Sequence, residues 1–373
     1  DNIDHDILLK ILARRIEDNR LLKLIRYLLK AGYLEEWKYH STHSGAPQGG
    51  IVSPLLSNIY LHELDKYIEE KLIPTYTQGK TRAPNLEYHR VKERIKRLHL
   101  KGQHKEALAL QDYLYTLPKG DLNDPHYQRL WYVRYADDFL LGYTGPIARA
   151  REIKLTIKDF LTQNLSLELS LEKTFITHAA TKRASFLGYE IKKEICNTRM
   201  TKITQGPLKG KKRRSVNGCL SLMVPKDKIS RRCQQFMKRG KVSHRNLLIF
   251  ESDFSIISKY QNELRGLVQY YMLAKNVSSL YKVKYVMETS MLKTLAAKYK
   301  SRVNKIVKKY KVKRNGYTCF EAVVKRENKT PLIARFGGFP IRYQKRVLAL
   351  NDMNNKYTNY YNERNELLKR LLA

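Results

Sequence analysis

The amino-acid sequence predicts an α+β protein, in which an antiparallel sheet packed with helices is followed by an all-α region. Two apolar, aromatic runs flank a short acidic turn in residues 131–143, which is typical of a β-hairpin. Apolar residues recur at helical spacing in residues 6–31 and 53–72. Beyond residue 198, amphipathic helical segments dominate the pattern.

The first elements are two helices and an extended stretch. Residues 6–31 carry two apolar faces, and Asp18-Asn19 between them predicts a break. Gly32 is a typical residue to end the second helix. Residues 37–43 are predicted to be extended.

A helix is predicted to begin at Ser53-Pro54 and to reach Leu72, since serine suits the N-cap and proline the first turn. A polar, basic insertion follows over residues 74–125. Its middle, residues 86–114, is predicted to be helical because apolar residues recur there at helical spacing.

The hairpin strands are predicted at residues 131–135 and 139–143. A helix is expected over 147–161, and residues 165–169 alternate as a strand does. Residues 186–191 form another short candidate strand.

The composition changes near Thr198, where we place a domain boundary, and residues 209–214 are nearly all basic. Three helical segments are predicted after the boundary, over residues 226–239, 255–274 and 278–299.

The net charge points to an anionic partner. The chain has 72 Lys and Arg against 35 Asp and Glu, a formal charge of +37. So much charge destabilises a folded chain by self-repulsion unless a polyanion neutralises it. Nucleic acid fits best, because each neutralised phosphate releases counterions. The alternative is a basic, solvated surface.

Other classes of protein are disfavoured. Four cysteines without a CxxC pair or nearby histidines at zinc-ligand spacing predict neither a disulfide framework nor a zinc site. No apolar stretch approaches the roughly 20 residues that span a membrane, and the N-terminus resembles no signal peptide.

The acidic turn carries the strongest chemical signal. Nucleotidyl transfer uses two divalent ions about 4 Å apart, and Mg²⁺ prefers hard carboxylate oxygens. A hairpin turn would present Asp137 and Asp138 beyond the edge of the sheet. The alternative is an ordinary polar turn, because a YxDD tetrapeptide alone is only moderately specific.

A glycine-rich loop, Ala46-Pro47-Gln48-Gly49-Gly50, precedes the helix at Ser53. Its glycines would let the backbone approach a nucleotide closely, and Gln48 can hydrogen-bond a base or sugar. The alternative is a plain loop before a helix.

Together these motifs resemble the reverse transcriptases encoded by group II introns. The resemblance rests mainly on two segments, PQGGxxSPLLxNIYLHELD from Pro47 and YVRYADDFLLG from Tyr132. Shorter segments resemble the end of the first palm motif, two later palm motifs and the maturase, or X, domain, namely 2–8, 167–174, 186–189 and 262–271.

The resemblance implies roles for individual residues. Asp137 and Asp138 would hold two Mg²⁺ ions, with Mn²⁺ as an alternative, and Lys173 would protonate the leaving group unless it is a plain surface lysine. Pro47, Gln48, Gly49, Tyr135 and Ala136 would lie beside the nucleotide and template, and Phe186, Leu187 and Gly188 would grip the primer. The expected RNA contacts are Arg231, Arg232, Lys238, Arg239, Lys241 and Arg245.

The resemblance also implies a right-hand polymerase architecture. The palm would span residues 1–197, a helical thumb or X domain 198–310, and a basic extension 311–373. Expected partners are group II intron RNA, RNA template with DNA primer, dNTPs and target DNA; a homodimer stays open. The bacterial cytoplasm or an organelle is the expected location, with neither secretion nor a membrane.

Two rival interpretations remain: an RNA-binding splicing factor without polymerase activity, and a reverse transcriptase of a retron or diversity-generating type. The family also carries a metal-binding Asp several residues before the segment that matches Asp1, and a fingers region before that. Neither has a counterpart in these 373 residues. We therefore expect the 373-residue chain alone to polymerise poorly. The sequence has neither the Cys pairs nor the His cluster that an HNH nuclease needs, so we expect no strand cleavage.

Overall fold

The computed structural model describes residues 3–35, 38–40, 52–196, 200–202, 204, 209–210, 212–214, 218–314, 316–327 and 329–344. The chain is an α+β protein, as the sequence predicts, and divides into two compact units. Unit 1 comprises Asp1–Lys182 and Ile195–Gly218, and unit 2 comprises Arg183–Glu194 and Cys219–Ala373. The predicted boundary near Thr198 lies in the stretch where the chain alternates between the units.

Unit 1 begins with α1 (His5–Ala13) and α2 (Asn19–Lys30), which confirms the predicted break at Asp18. Aspartate carboxylates cap both helices, because Asp4 accepts from two amide groups of α1 and Asp18 from two of α2. Gly32 has φ 72°, the left-handed conformation that ends a helix. Two short strands pair after it, β1 (Tyr33–Glu35) and β2 (Lys38–His40).

The long helix α3 (Ser53–Tyr67) continues through a π-helical turn at Ile68–Leu72 into α4 (Ile73–Thr75). The predicted N-cap is wrong by one residue: Val52 occupies the cap position, without a side-chain bond. The middle of the insertion is helical, as predicted, but it is divided. It forms two helices, α5 (Leu86–Leu100) and α6 (His104–Thr116), because Gly102 at φ 74° separates them.

The hairpin consists of β3 (Arg129–Tyr135) and β4 (Asp138–Thr144), as predicted. Helix α7 (Ile147–Leu165) is longer than predicted and takes up Leu165, so the predicted strand at 165–169 is wrong. Ser166 ends α7 at φ 48°. A further pair, β7 (Met200–Lys202) with β8 (Lys212–Arg214), follows later in unit 1.

The core of unit 1 is formed mainly by the apolar faces of α1, α3 and α7. Tyr60 of α3 is fully buried there, and its hydroxyl donates to the Leu165 carbonyl at 2.5 Å. That bond ties the end of α7 to α3 and satisfies a carbonyl that the helix end leaves open.

Unit 2 starts with β5 (Ala184–Phe186) and β6 (Tyr189–Lys193), which pair with β9 (Leu220–Met223). The remaining elements before residue 311 are mostly helical: α8 (Lys226–Gln234), the small hairpin β10 (Met237–Lys238) and β11 (Lys241–Val242), α9 (Asp253–Tyr270), α10 (Tyr281–Lys298) and α11 (Val303–Tyr310).

The expectation of an all-α second region is wrong. Within residues 198–310, β9 and the small β10–β11 hairpin interrupt the helices. Residues 311–337, where only a basic extension was expected, form an antiparallel sheet of β12 (Lys311–Arg314), β13 (Tyr317–Arg326) and β14 (Lys329–Gly337). Phe320 and Phe336 pair across this sheet and are buried in the core with α9 and α10. Within the described ranges, no helix is long and apolar enough to cross a membrane.

The Tyr60 bond predicts a difference between two tyrosines of α3. Tyr60→Phe would leave the buried Leu165 carbonyl without its donor, so we expect a loss of about 1–3 kcal/mol in the free energy of unfolding. Tyr67, stacked on Phe160 at 4.0 Å, is the matched control, because removal of its hydroxyl keeps the ring contact. Urea denaturation measures both variants, and equal losses would contradict the role of the bond.

Candidate active site

The two acidic residues lie at the tip of the β3–β4 hairpin. Tyr135 pairs with Asp138, which leaves Ala136 and Asp137 as a two-residue turn. Ala136 has φ 53°, a conformation that a non-glycine residue adopts only at some energetic cost. Both Asp137 and Asp138 are exposed, so their carboxylates are free of the ladder and accessible from solvent.

The two faces of β3 differ in exposure. Trp131, Val133 and Tyr135 are each at least half exposed on one face, whereas Leu130 is buried on the other. Tyr132 and Arg134 alternate with the exposed set and lie on the same face as Leu130. The face carrying Tyr132 and Arg134 is therefore the one that packs against the rest of unit 1.

Asp65 of α3 fastens the hairpin to the helix. Its carboxylate accepts from the Tyr132 hydroxyl at 2.8 Å and from Arg134 Nε and Nη2 at 2.7 and 2.6 Å. Arg134 Nη1 donates to the Ala136 carbonyl at 2.7 Å and to Asn58 Oδ1 at 3.1 Å. One guanidinium thus joins two turns of α3 to the backbone of the acidic turn.

The protonation states support this network. Burial alone would raise the pKa of Asp65, but the hydrogen bonds from Arg134 and Tyr132 and the nearby positive charges outweigh it and lower the pKa. The bond to Asp65 raises the pKa of Arg134. Burial, and then Asp65, raises the pKa of Tyr132, so its hydroxyl stays a donor at neutral pH.

Sequence reasoning missed Arg134, Asp65 and Asn58 as supporting residues. A usable signal existed for one of them, because Arg134 is the one charged residue in the apolar, aromatic run at 131–135 that predicts a strand. A charge there needs a partner of opposite sign. Nothing in the linear sequence identifies Asp65 as that partner.

The other expected catalytic residues are only partly described. Lys173 is exposed in the turn Ser170–Thr174, where its amide donates to the Ser170 carbonyl at 3.3 Å. Among the described contacts, none joins Lys173 to the acidic turn. Pro47, Gln48 and Gly49 lie outside the described residues.

The expected primer grip is a tight turn in unit 2. The predicted single strand over 186–191 is two strands, β5 and β6, that meet at Leu187-Gly188. Leu187 and Gly188 have φ 47° and φ 72°. Phe186 and Leu187 are half-buried, and Gly188 is exposed at the turn.

The six expected RNA contacts fall into three environments. Lys238, Arg239 and Lys241 are exposed at the β10–β11 hairpin. By contrast, Arg232 and Arg245 donate to Glu263 at 3.0 and 2.8 Å and are about three-quarters buried. Arg231 is exposed beside Asp227, 3.5 Å away.

The comparisons with known proteins agree with these motifs. Residues 1–191 match the reverse transcriptase (RNA-dependent DNA polymerase) family, and residues 219–336 match the type II intron maturase family. The chain belongs to the group II intron-encoded reverse transcriptases. The acidic turn and the loop at 47–49 lie in the reverse transcriptase match, whereas the basic hairpin lies in the maturase match.

Individual relatives of this family cover most of the chain. The group II intron-encoded protein LtrA of Lactococcus lactis subsp. cremoris is 39% identical over 83% of the chain and 53% of its own length. The COX1/OXI3 intron 2 protein of Saccharomyces cerevisiae is 33% identical over 83% of the chain and 37% of its length. The chain thus spans about half or less of these two relatives.

Removal of the Arg134 guanidinium tests whether this side chain anchors the hairpin to α3. Arg134→Gln would leave Asp65 with fewer donors at a site where both side chains are less than one-fifth exposed. We expect a loss of about 3 kcal/mol in the free energy of unfolding. Arg14→Gln is the control: Arg14 pairs with Glu63 but is 61% exposed, so less than about 1 kcal/mol should be lost. Equal losses of unfolding free energy for the two variants in chemical denaturation would contradict an anchoring role for Arg134.

Proposed function

We propose that this chain is the catalytic and RNA-binding part of an RNA-directed DNA polymerase and intron maturase. It would bind its group II intron RNA, assist splicing and copy that RNA into cDNA during intron mobility. The observation that carries the proposal is the pair of exposed carboxylates, Asp137 and Asp138, at a turn fixed by Arg134 in the YADD motif. The two family matches support the combination of activities.

The donor set of the acidic turn fits divalent cations. Asp137 and Asp138 offer hard oxygen ligands on one turn, and Mg²⁺ commonly uses one or two carboxylates plus substrate phosphates and water. The described part of the chain contains no group of three or more His, Cys, Asp or Glu side chains that could hold a metal alone. Two bound Mg²⁺ ions, or Mn²⁺, would activate the primer hydroxyl and stabilise charge on the leaving pyrophosphate.

The residues of the chain would then act by positioning. Tyr135 and Ala136 would support the primer terminus, and the loop at Pro47, Gln48 and Gly49 would contact the dNTP and template. Lys173, which is exposed, would deliver a proton to the leaving pyrophosphate. Phe186, Leu187 and Gly188 would hold the primer strand. Such positioning supplies much of the rate enhancement in phosphoryl transfer.

The proposed architecture is a right-hand palm over residues 1–197, a thumb and maturase region over 198–310, and a basic extension from 311. The family matches support a division near residue 200. The maturase match continues to residue 336, through the β12–β14 sheet.

RNA binding would depend on the hairpin that carries Lys238, Arg239 and Lys241. These side chains are exposed in a chain of net charge +37, so they can neutralise phosphates at little desolvation cost. Arg232 and Arg245, held by Glu263, would contribute mainly to the fold of unit 2. RNA would be recognised through its shape, backbone and unstacked bases.

A splicing factor without polymerase activity is the second candidate, favoured by the maturase match and the exposed basic hairpin. A retron or diversity-generating type is disfavoured by that same match. Further proposed partners are an RNA template with DNA primer, dNTPs and target DNA, with the homodimer still open. Relatives from a bacterium and a yeast leave both the bacterial cytoplasm and an organelle open as locations.

The acidic turn separates the two candidates. In the full-length protein, Asp137→Asn with Asp138→Asn should lower cDNA synthesis at least about a thousandfold, since metal-stabilised charge supplies several kcal/mol. Intron splicing should survive, because RNA binding does not use these carboxylates. Asp159→Asn, an exposed aspartate of α7, is the control. Loss of both activities at equal expression would indicate a structural role for the turn.

The hairpin predicts a change in salt dependence. Replacement of Lys238, Arg239 and Lys241 by Gln should reduce the slope of log affinity for intron RNA against log salt by about 2, at roughly 0.7 per lost phosphate contact. The control removes the same charge elsewhere in unit 2, from exposed Lys313, Lys325 and Lys329. If both variants lose the same slope, only total charge matters and the hairpin is not a specific contact.

A further inference from the structure

The turn at Leu187-Gly188 is held in a conformation that its sequence alone does not favour. Leu187 adopts φ 47°, which costs a non-glycine residue about 1–2 kcal/mol. Gly188 at φ 72° is also crowded: a Cβ there would lie 3.3 Å from the Tyr270 hydroxyl and 3.6 Å from the Tyr271 hydroxyl. Such a turn persists only when its surroundings enforce it.

The enforcing groups are two tyrosines at the end of α9. Tyr270 is the last residue of the helix, and its hydroxyl donates to the Leu187 carbonyl at 2.5 Å. Tyr271 follows it, and its hydroxyl donates to the Gly188 carbonyl at 3.1 Å. Both carbonyl oxygens of the turn are therefore bound from one helix end.

Tyr189, the first residue of β6, contacts both of these tyrosines. Its hydroxyl donates to the Tyr270 carbonyl, and its ring stacks on Tyr270 with centroids 5.6 Å apart. The Tyr271 ring lies edge-on to Tyr189 at 5.1 Å. Burial raises the pKa of Tyr189 to about 12, so the hydroxyl keeps its proton at neutral pH.

Helix α9 is a firm base for these contacts. Its residues Ile256, Ile257 and Tyr260 are fully buried in the core of unit 2. The Tyr260 hydroxyl is also shared with Ser290 at 2.8 Å and Thr294 at 3.2 Å on α10. A turn bonded to the end of this helix takes its orientation from the core.

The orientation of the turn matters for what it presents outward. The Leu187 carbonyl and the Gly188 amide belong to one planar trans peptide, so they point in opposite directions. When Tyr270 binds the carbonyl, the Gly188 amide faces away from α9, at an exposed residue. Loss of the hydroxyl would free this peptide to rotate.

We infer that Tyr270 and Tyr271, from the maturase-matched region, are positioning residues for the primer strand during DNA synthesis. Their hydroxyl groups fix the peptides of the Leu187-Gly188 turn in the orientation that meets the primer. The inference rests on the proposed function, in which this turn holds the primer. It assigns part of polymerisation to a helix of the maturase region.

The test uses Tyr270→Phe, Tyr271→Phe and the double variant in the full-length protein. Each change removes one hydroxyl and keeps the ring. We expect the Kd for primer–template to rise about fivefold for each lost hydroxyl, and processivity to fall. The KM for dNTP, the intron RNA affinity and the melting temperature should stay near wild type. Tyr285→Phe, a 69% exposed tyrosine of α10, is the control and should match wild type throughout.

Each outcome bears on a different claim. Unchanged primer–template Kd and processivity in the double variant, with an active wild type, would overturn the inference. A wild type that extends no primer would instead defeat the proposed function. If the double variant loses extension altogether, hydrogen exchange decides: faster exchange confined to residues 186–189 supports positioning, and faster exchange throughout α9 and α10 overturns it.

Discussion

The bond between Arg134 and Asp65 is the interaction on which the candidate active site depends. A two-stranded hairpin is at best marginally stable alone, so the β3–β4 hairpin needs anchoring. The guanidinium supplies it by reaching both the α3 carboxylate and the carbonyl of the strained residue Ala136. The Asp65 carboxylate is thus neutralised within the protein, whereas Asp137 and Asp138 at the tip are exposed to solvent.

In unit 2, too, a carboxylate neutralises arginine side chains within the protein. Glu263 binds Arg232 and Arg245, and Arg245 also lies over the rings of Phe236 and Tyr260, 4.9 and 5.2 Å from their centroids. These arginines serve the packing of α8 and α9. The charges at the β10–β11 hairpin, two lysines and one arginine, are instead exposed to solvent.

Much of the fold follows from local rules that the sequence displays. Asp18 breaks the first helical stretch because its carboxylate caps α2, and the apolar runs around Ala136-Asp137 form a hairpin. Where the sequence predicts the wrong element or none, the reason lies in tertiary packing. Leu165 remains in α7 because it is buried and its carbonyl bonds Tyr60, and that packing overrides the alternation over 165–169. The sequence does not predict the β12–β14 sheet, because its outer strands bury few side chains and show no clear period.

The sequence by itself determined the family, the adjacent aspartates, the basic composition and the order of the motifs. Those features depend on residue identity and spacing along the chain. Only the tertiary structure decided which groups hold the two turns in place, because Asp65 and Arg134, or Tyr270 and Leu187, are far apart in sequence and meet only after folding. Hydrogen bonds between distant residues leave no periodic signal in the sequence.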